Sequence, residues 1–153
     1  MRHVLGMLVA ATSVLTVASP ASAGPVHSAS ADQAFVERML YATPITGFIA
    51  EAGIDMWFDW STDLCSAPLV GSTGRTFNFI NACRRHDFGY RNLHLLDLRY
   101  GDGHWSAASR RRADHLFRSD MRRHCWARPW YDEPTCLVWA QTFYAAVRVA
   151  GGP

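Results

Sequence analysis

Apolar side chains recur along this chain at helical rather than strand spacing. After a small, polar stretch from Gly24 to Ala31, the positions Phe35, Met39 and Leu40 form one stripe, and Asp32 is the expected N-cap of that helix. Thr43-Pro44 interrupts the pattern, because the residue before a proline is pushed out of the helical region. Thr46 is placed to cap a short helix through Ile49, and Gly53 allows a turn. Ile54 to Trp60 is densely apolar and aromatic, broken only by Asp55 and Asp59. Ser61-Thr62-Asp63-Leu64-Cys65 has the short polar side chains of a loop, which Pro68, Gly71, Ser72 and Gly74 prolong toward Phe77. From Asn78 the helical period returns: Phe79, Cys83, His86, Tyr90 and Leu93 predict a long helix that fades through Tyr100 into the turn Gly101-Asp102-Gly103. Ser106 or Ser109 can cap a second long helix with the stripe Asp114, Phe117, Met121 and Cys125, leaving Arg111, Arg118 and Arg122 on a solvated face. Trp126 to Thr135, with Pro129 and Pro134, reads as a loop. Cys136, Ala140, Phe143 and Val147 make the stripe of a last helix, ended by Gly151-Gly152-Pro153. There is no repeat, heptad or β-alternation, so the expected fold is mainly α.

The start of the chain changes the picture. Arg2 and His3 precede a mostly apolar run from Val4 to Ala18, and Ala21-Ser22-Ala23 is an A-x-A cleavage pattern. The run is short and diluted by Ala, Ser and Thr, against the roughly 18 or more apolar residues of a spanning helix. Residues 1–23 are therefore expected to be a signal peptide, and residues 24–153 a single secreted domain. All four cysteines, Cys65, Cys83, Cys125 and Cys136, lie beyond it, which in an exported chain argues for two disulfides. Three connectivities are open; the sequential one, Cys65–Cys83 with Cys125–Cys136, closes the shortest loops. No C-x-x-C or H-x-x-x-H pair supports zinc. Without Arg2 the chain carries 14 arginines against 13 Asp plus Glu, a net charge of +1, and no lysine. That balance speaks against a dedicated nucleic-acid binder.

The candidate chemistry lies on the two long helices. Neighbouring side chains of a helix point about 100° apart, so His86 and Asp87 do not simply pair; one can face a pocket while the other reaches a metal. Tyr90 shares the face of His86. Asp114 sits on an apolar stripe, where a carboxylate is costly unless it is paired; the plainer reading, a partly exposed Asp near a helix start stabilised by the helix dipole, weighs about as much on the stripe alone. Two antiparallel helices would bring it opposite His86, and an Asp–His pair fixes the tautomer and supports the imidazolium. Asp63 and Asp87 are candidate ligands for calcium, which prefers carboxylates, carbonyls and water, and the Leu64 carbonyl can join them. On spacing alone the plainer reading weighs slightly more, with Asp63 capping a turn and Asp87 pairing with Arg84 or Arg91. His27, His94, His104, His115 and His124 show no ligand spacing. Arg110-Arg111-Arg112 reads as a solvated helix start, with acidic lipid headgroups as the alternative partner. Trp57, Phe58 and Trp60 read as core, with a membrane contact as the alternative because amphipathic tryptophans favour interfaces. No G-x-S-x-G elbow or phosphate-cradling glycine loop is present.

Three stretches in order, Phe58-Asp59-Trp60-Ser61-Thr62-Asp63-Leu64-Cys65, Cys83-Arg84-Arg85-His86-Asp87-Phe88-Gly89-Tyr90-Arg91-Asn92 and Ala113-Asp114-His115-Leu116-Phe117-Arg118-Ser119-Asp120-Met121, resemble the secreted phospholipases A2 of the bacterial and fungal branch. The spacing of Cys125, Cys136 and Tyr144-Ala145-Ala146-Val147 is similar too. The resemblance implies a small, disulfide-stapled helical domain with two long antiparallel helices carrying a His/Asp site and a calcium loop. It implies His86 as general base, Asp114 as its supporting carboxylate, and Tyr90 as a hydrogen-bond partner of that Asp. It further implies Asp63, Asp87 and the Leu64 carbonyl as Ca2+ ligands, and the pairings Cys65–Cys83 and Cys125–Cys136. The implied activity is calcium-dependent hydrolysis of the sn-2 ester of glycerophospholipids at a membrane or micelle surface, by a secreted monomer without a nucleic-acid partner. A non-enzymatic lipid- or receptor-binding module on the same scaffold is the competing expectation. The glycine-rich calcium loop of the animal enzymes is absent, as it is in the bacterial branch.

Overall fold

The computed structural model describes residues 26–65, 77–101 and 103–150. The expected signal peptide, the turn residues Pro68 to Gly74, Asp102 and the terminal Gly151-Gly152-Pro153 lie outside these. Among the described residues there are five α-helices and no strand: α1 (Ala29–Glu37), α2 (Ile45–Glu51), α3 (Ile80–Tyr100), α4 (Ala107–Trp126) and α5 (Glu133–Ala150). A π-helical segment, Arg38–Ala42, extends α1.

Two capping expectations are corrected. Ser28, not Asp32, caps α1, its hydroxyl accepting from the Ala31 amide at 3.2 Å. Asp32 is buried within the first turn, where its carboxylate accepts from the Trp57 indole at 2.6 Å, the Tyr100 hydroxyl at 2.7 Å and His27 Nδ1 at 2.9 Å. Ser28 offers the same capping chemistry, and donors from distant segments hold Asp32 instead. Likewise Thr46 lies inside α2, which starts directly after Pro44. Ser106 and Ser109 together form the capping box of α4. Gly101, at φ +96°, ends α3, a backbone conformation that favours glycine.

α3 and α4 run antiparallel: Phe79 meets His124, His86 meets Phe117, and Tyr90 meets Arg110. α3 separates two apolar clusters. On one side Phe88, Leu93 and Leu96 pack with Val36, Met39, Leu40, Phe48 and Phe58. On the other, Phe79, Ala82 and Cys83 pack with Phe117, Met121, Cys125, Cys136, Ala140 and Phe143 of α4 and α5. Leu93 thus leaves the stripe it shares in sequence with Cys83 and joins the opposite cluster. The stripe of α4 is buried as expected.

Arg110 departs from expectation. It is half-buried, and its guanidinium donates to the carbonyls of Val147 and Arg148 at 3.3 and 3.0 Å, satisfying the last turn of α5. Trp57 is 40% exposed rather than core, its ring stacked on His27 and covered by the Arg99 guanidinium. Phe58 is buried and Trp60 half-buried. The sequence gives no sign of Arg85, which is buried and paired through two nitrogens with buried Asp120, while a third donates to the Thr43 carbonyl at 2.6 Å.

Candidate active site

The strip Asp59 to Cys65 lies along α3 and is fastened to it three times, in reverse order. The buried Asn92 amide accepts from the Asp59 amide at 2.9 Å and donates to the Asp59 carbonyl at 2.8 Å. Next, the Thr62 hydroxyl and the Asp63 amide donate to Asp87 Oδ2 at 2.5 and 3.1 Å. Last, Cys65 is bonded to Cys83. The second disulfide, Cys125–Cys136, joins the end of α4 to the first turn of α5. Leu64 and Cys65 both have left-handed backbone, φ 56° and 65°, where a non-glycine residue costs on the order of 1 kcal/mol or more. The disulfide and the Thr62–Asp87 contact hold that conformation.

One residue before Asp87, His86 points to the opposite partner. Its Nε2 lies 2.8 Å from Asp114 Oδ1, with His86 buried and Asp114 fully so. Tyr90, one turn on, donates its hydroxyl to the same oxygen at 2.7 Å. Oδ2 accepts from the Arg148 guanidinium at 2.7 Å, and the Arg110 Nε stands 3.9 Å away. Burial pushes the Asp114 carboxyl up, but the hydrogen bonds from His86, Arg148 and Tyr90 outweigh it and hold the group below its ordinary value. Asp114 is therefore a carboxylate and can only accept. His86 carries a proton on Nε2, and in its neutral form Nδ1 holds the lone pair. The Phe117 and Tyr90 rings, 4.8 and 4.3 Å from the imidazole, pack against it.

Burial also pushes the Asp87 carboxyl up; the hydrogen bond from Thr62 opposes this, and the nearby Asp63 carboxylate adds to it. Two carboxylates close enough to repel, with the Thr62 hydroxyl beside them, are the oxygen chemistry a hard cation such as Ca2+ prefers. Among the described residues no cluster of three or more His, Cys, Asp or Glu could hold a metal, so carbonyls and water would complete the ligand shell. Asp87 makes no ion pair with Arg84 or Arg91 of the kind the plainer reading required among the described residues; it is half-buried and turned to Thr62.

Sequence reasoning missed Thr62, Arg110 and Arg148. A lone hydroxyl in a loop carries no signal. Arg148 had one: apart from Glu133 at the first turn, it is the only charged residue of α5.

The profile of the prokaryotic phospholipase A2 family matches residues 36–151. A secretory phospholipase A2 of Beauveria bassiana is 32% identical over 146 residues, covering 92% of this chain and 70% of the relative. A secretory phospholipase A2 of Arthroderma benhamiae is 32% identical over 114 residues, covering 72% of each.

Proposed function

The chain belongs to the prokaryotic phospholipase A2 family and is an ester hydrolase, and from that premise we propose that it cleaves the sn-2 ester of glycerophospholipids with a water activated by His86, dependent on calcium held by Asp63, Asp87 and the Leu64 carbonyl. The observation that carries the reading is the buried contact between His86 Nε2 and Asp114 Oδ1, one residue away from a carboxylate pair suited to a cation.

With Nε2 committed to Asp114, the imidazole accepts the proton of a water at Nδ1. The Asp114 carboxylate then faces an imidazolium, which its charge stabilises at hydrogen-bond distance. Tyr90 and Arg148 hold Asp114 so that the His86 ring keeps one orientation. Calcium, when bound, supplies the positive charge that polarises the ester carbonyl and holds the phosphate. The water oxygen bonds to the ester carbonyl carbon as it loses its proton to His86. When the bond from this carbon to the sn-2 oxygen breaks, His86 returns the proton to the leaving alcohol, giving a fatty acid and a lysophospholipid. No cysteine is free among the described residues, and no nucleophile elbow occurs in the sequence, so water is the nucleophile the residues support. Export of residues 24–153 as a secreted domain belongs to the same proposal; its support is the A-x-A site and the word secretory in the names of both relatives.

The test is fatty-acid release from sn-2-labelled phosphatidylcholine, with calcium, with a chelator, and with His86→Asn. Release that chelation and the substitution both stop is the expected result. Release that survives His86→Asn in a folded protein overturns the assignment.

A further inference from the structure

The outer surface of α4 and α5 has a charge distribution that neither the site nor the core explains. α4 contains two carboxylates, Asp114 and Asp120, and both are buried. Its outer side carries Arg111, His115, Arg118 and Arg122, one above another at spacings of four, three and four. A shallow groove lined by His115, Arg118, Ser119, Arg122 and Trp126 follows this ridge. Arg118 lies over the Tyr144 ring at 5.1 Å, so the ridge borders directly on α5.

α5 is stranger. Its outward residues include Thr135, Val138, Thr142, Ala145 and Val149, and none of its exposed residues is charged. A solvated helix normally carries charged residues there. Val138 is 66% exposed and Val149 88%. At the turn between the two helices Trp126, Trp130 and Tyr131 stand exposed, Trp130 at 84%. From Ala107 to Ala150 the chain has eight arginines and four carboxylates; from Val26 to Cys65 it has one arginine and six carboxylates. The excess of arginine thus lies in the segment that forms α4 and α5, although Arg110, Arg112 and Arg148 are turned to the Val147 carbonyl, Glu37 and Asp114.

We propose that the outer face of α4 and α5 docks on an anionic phospholipid surface. The arginine ridge meets headgroup phosphates, the uncharged face of α5 enters the interfacial layer, and the exposed tryptophans and tyrosine sit where amphipathic rings favour the boundary. The choice of lipid over another polyanion rests on the ester-hydrolase reading above. α5 links the two: its outer side forms the docking face, while Arg148 on its inner side holds Asp114.

The experiment uses vesicles of non-hydrolysable diether phosphatidylcholine, with and without diether phosphatidylglycerol, in the presence of a chelator so that bound calcium contributes nothing. Each arginine near a charged surface strengthens attachment about fivefold. The protein is expected to bind the anionic vesicles more than about 25-fold more tightly than the neutral ones, with an affinity that falls as salt rises. The double substitution Arg118→Glu/Arg122→Glu should erase that difference, and Val138→Asp should weaken what remains. Arg111→Gln, at an exposed position, gives a second reading of the ridge should the double variant not fold. Equal binding to both vesicles, unchanged binding after charge reversal, or equally tight capture by duplex DNA would overturn the proposal. Hydrolysis of a soluble short-chain phosphatidylcholine is read separately. Vesicle discrimination without hydrolysis sinks the enzymatic reading alone, and hydrolysis without discrimination sinks the docking face alone.

Discussion

At the scale of single residues, the proposed chemistry rests on Asp114 being charged while buried. Asp114→Asn keeps one acceptor for His86 but turns an amide on Arg148, so catalysis is expected to fall by about two orders of magnitude or more. The pH dependence has a definite sign. In the unfolded chain this carboxyl titrates near 3.8, and in the folded protein lower, because three hydrogen bonds outweigh burial. The unfolded state therefore takes up the proton first as pH falls; the stabilisation is complete above the unfolded value and is lost as pH drops through the folded one. Thermal melts from neutral pH into acid should show the wild type losing stability more steeply than Asp114→Asn; parallel curves would refute this. His86, Asp114 and Tyr90 were legible because each occupies a position that a helical stripe reserves for an apolar side chain. Arg85 and Arg148 were not, because a long side chain reaches partners its Cα position does not indicate. Asp32 was misread for a different reason: a carboxylate at a helix start looks like a cap, and the donors that claim it, from Trp57 and Tyr100, are remote in sequence.

At the scale of elements, helix existence followed from periodicity, while the starts of α1 and α2 were misplaced because neighbouring residues offered equivalent caps. The strip from Asp59 to Cys65 was legible as a loop, but its fastening along α3 was visible only at Cys65. On the proposed mechanism, Arg148, through its contact with Asp114, makes α5 a working part of the site. Arg148→Met should lower kcat by about ten- to a hundredfold with little change in KM, since a small misplacement of the catalytic pair costs that much; Arg148→Lys should recover part of it. An unchanged kcat would show that α5 merely covers the core. Gly89 decides how closely the π-helical segment Arg38–Ala42 approaches α3: a Cβ there would lie 3.0 Å from a Leu40 methyl, and Leu40 is itself 1% exposed among well-packed neighbours. Alanine gains about 1 kcal/mol in helix preference and loses about 1–3 to overpacking. Gly89→Ala should therefore be destabilising by roughly 1 kcal/mol in a urea melt. A stabilised variant would mean that Leu40 can move aside.

At the scale of the whole molecule, the carboxylate pair predicts a coupling between ion and fold. Calcium at about a hundredfold above its Kd adds about 2.7 kcal/mol, a rise in Tm on the order of 10 °C for a domain of this size. Asp87→Asn should abolish that rise without unfolding the protein; a rise retained in the variant would place the ion elsewhere. The two disulfides, each fixing an end of a long helix, make the scaffold depend on an oxidising environment; reduction should cost about 3 kcal/mol of stability for each opened loop and so lower Tm substantially. The pairing of α3 with α4 has a further consequence. Two consecutive residues of α3, Arg85 and His86, are each held by a buried aspartate of α4, Asp120 and Asp114. Deleting a single residue between those aspartates would rotate one of them by about 100° and strand a charge in the core at a cost of several kcal/mol. Length changes are thus confined to the segments between the helices, and inside this pair the chain has one admissible count of residues, with no intermediate that leaves both partners satisfied.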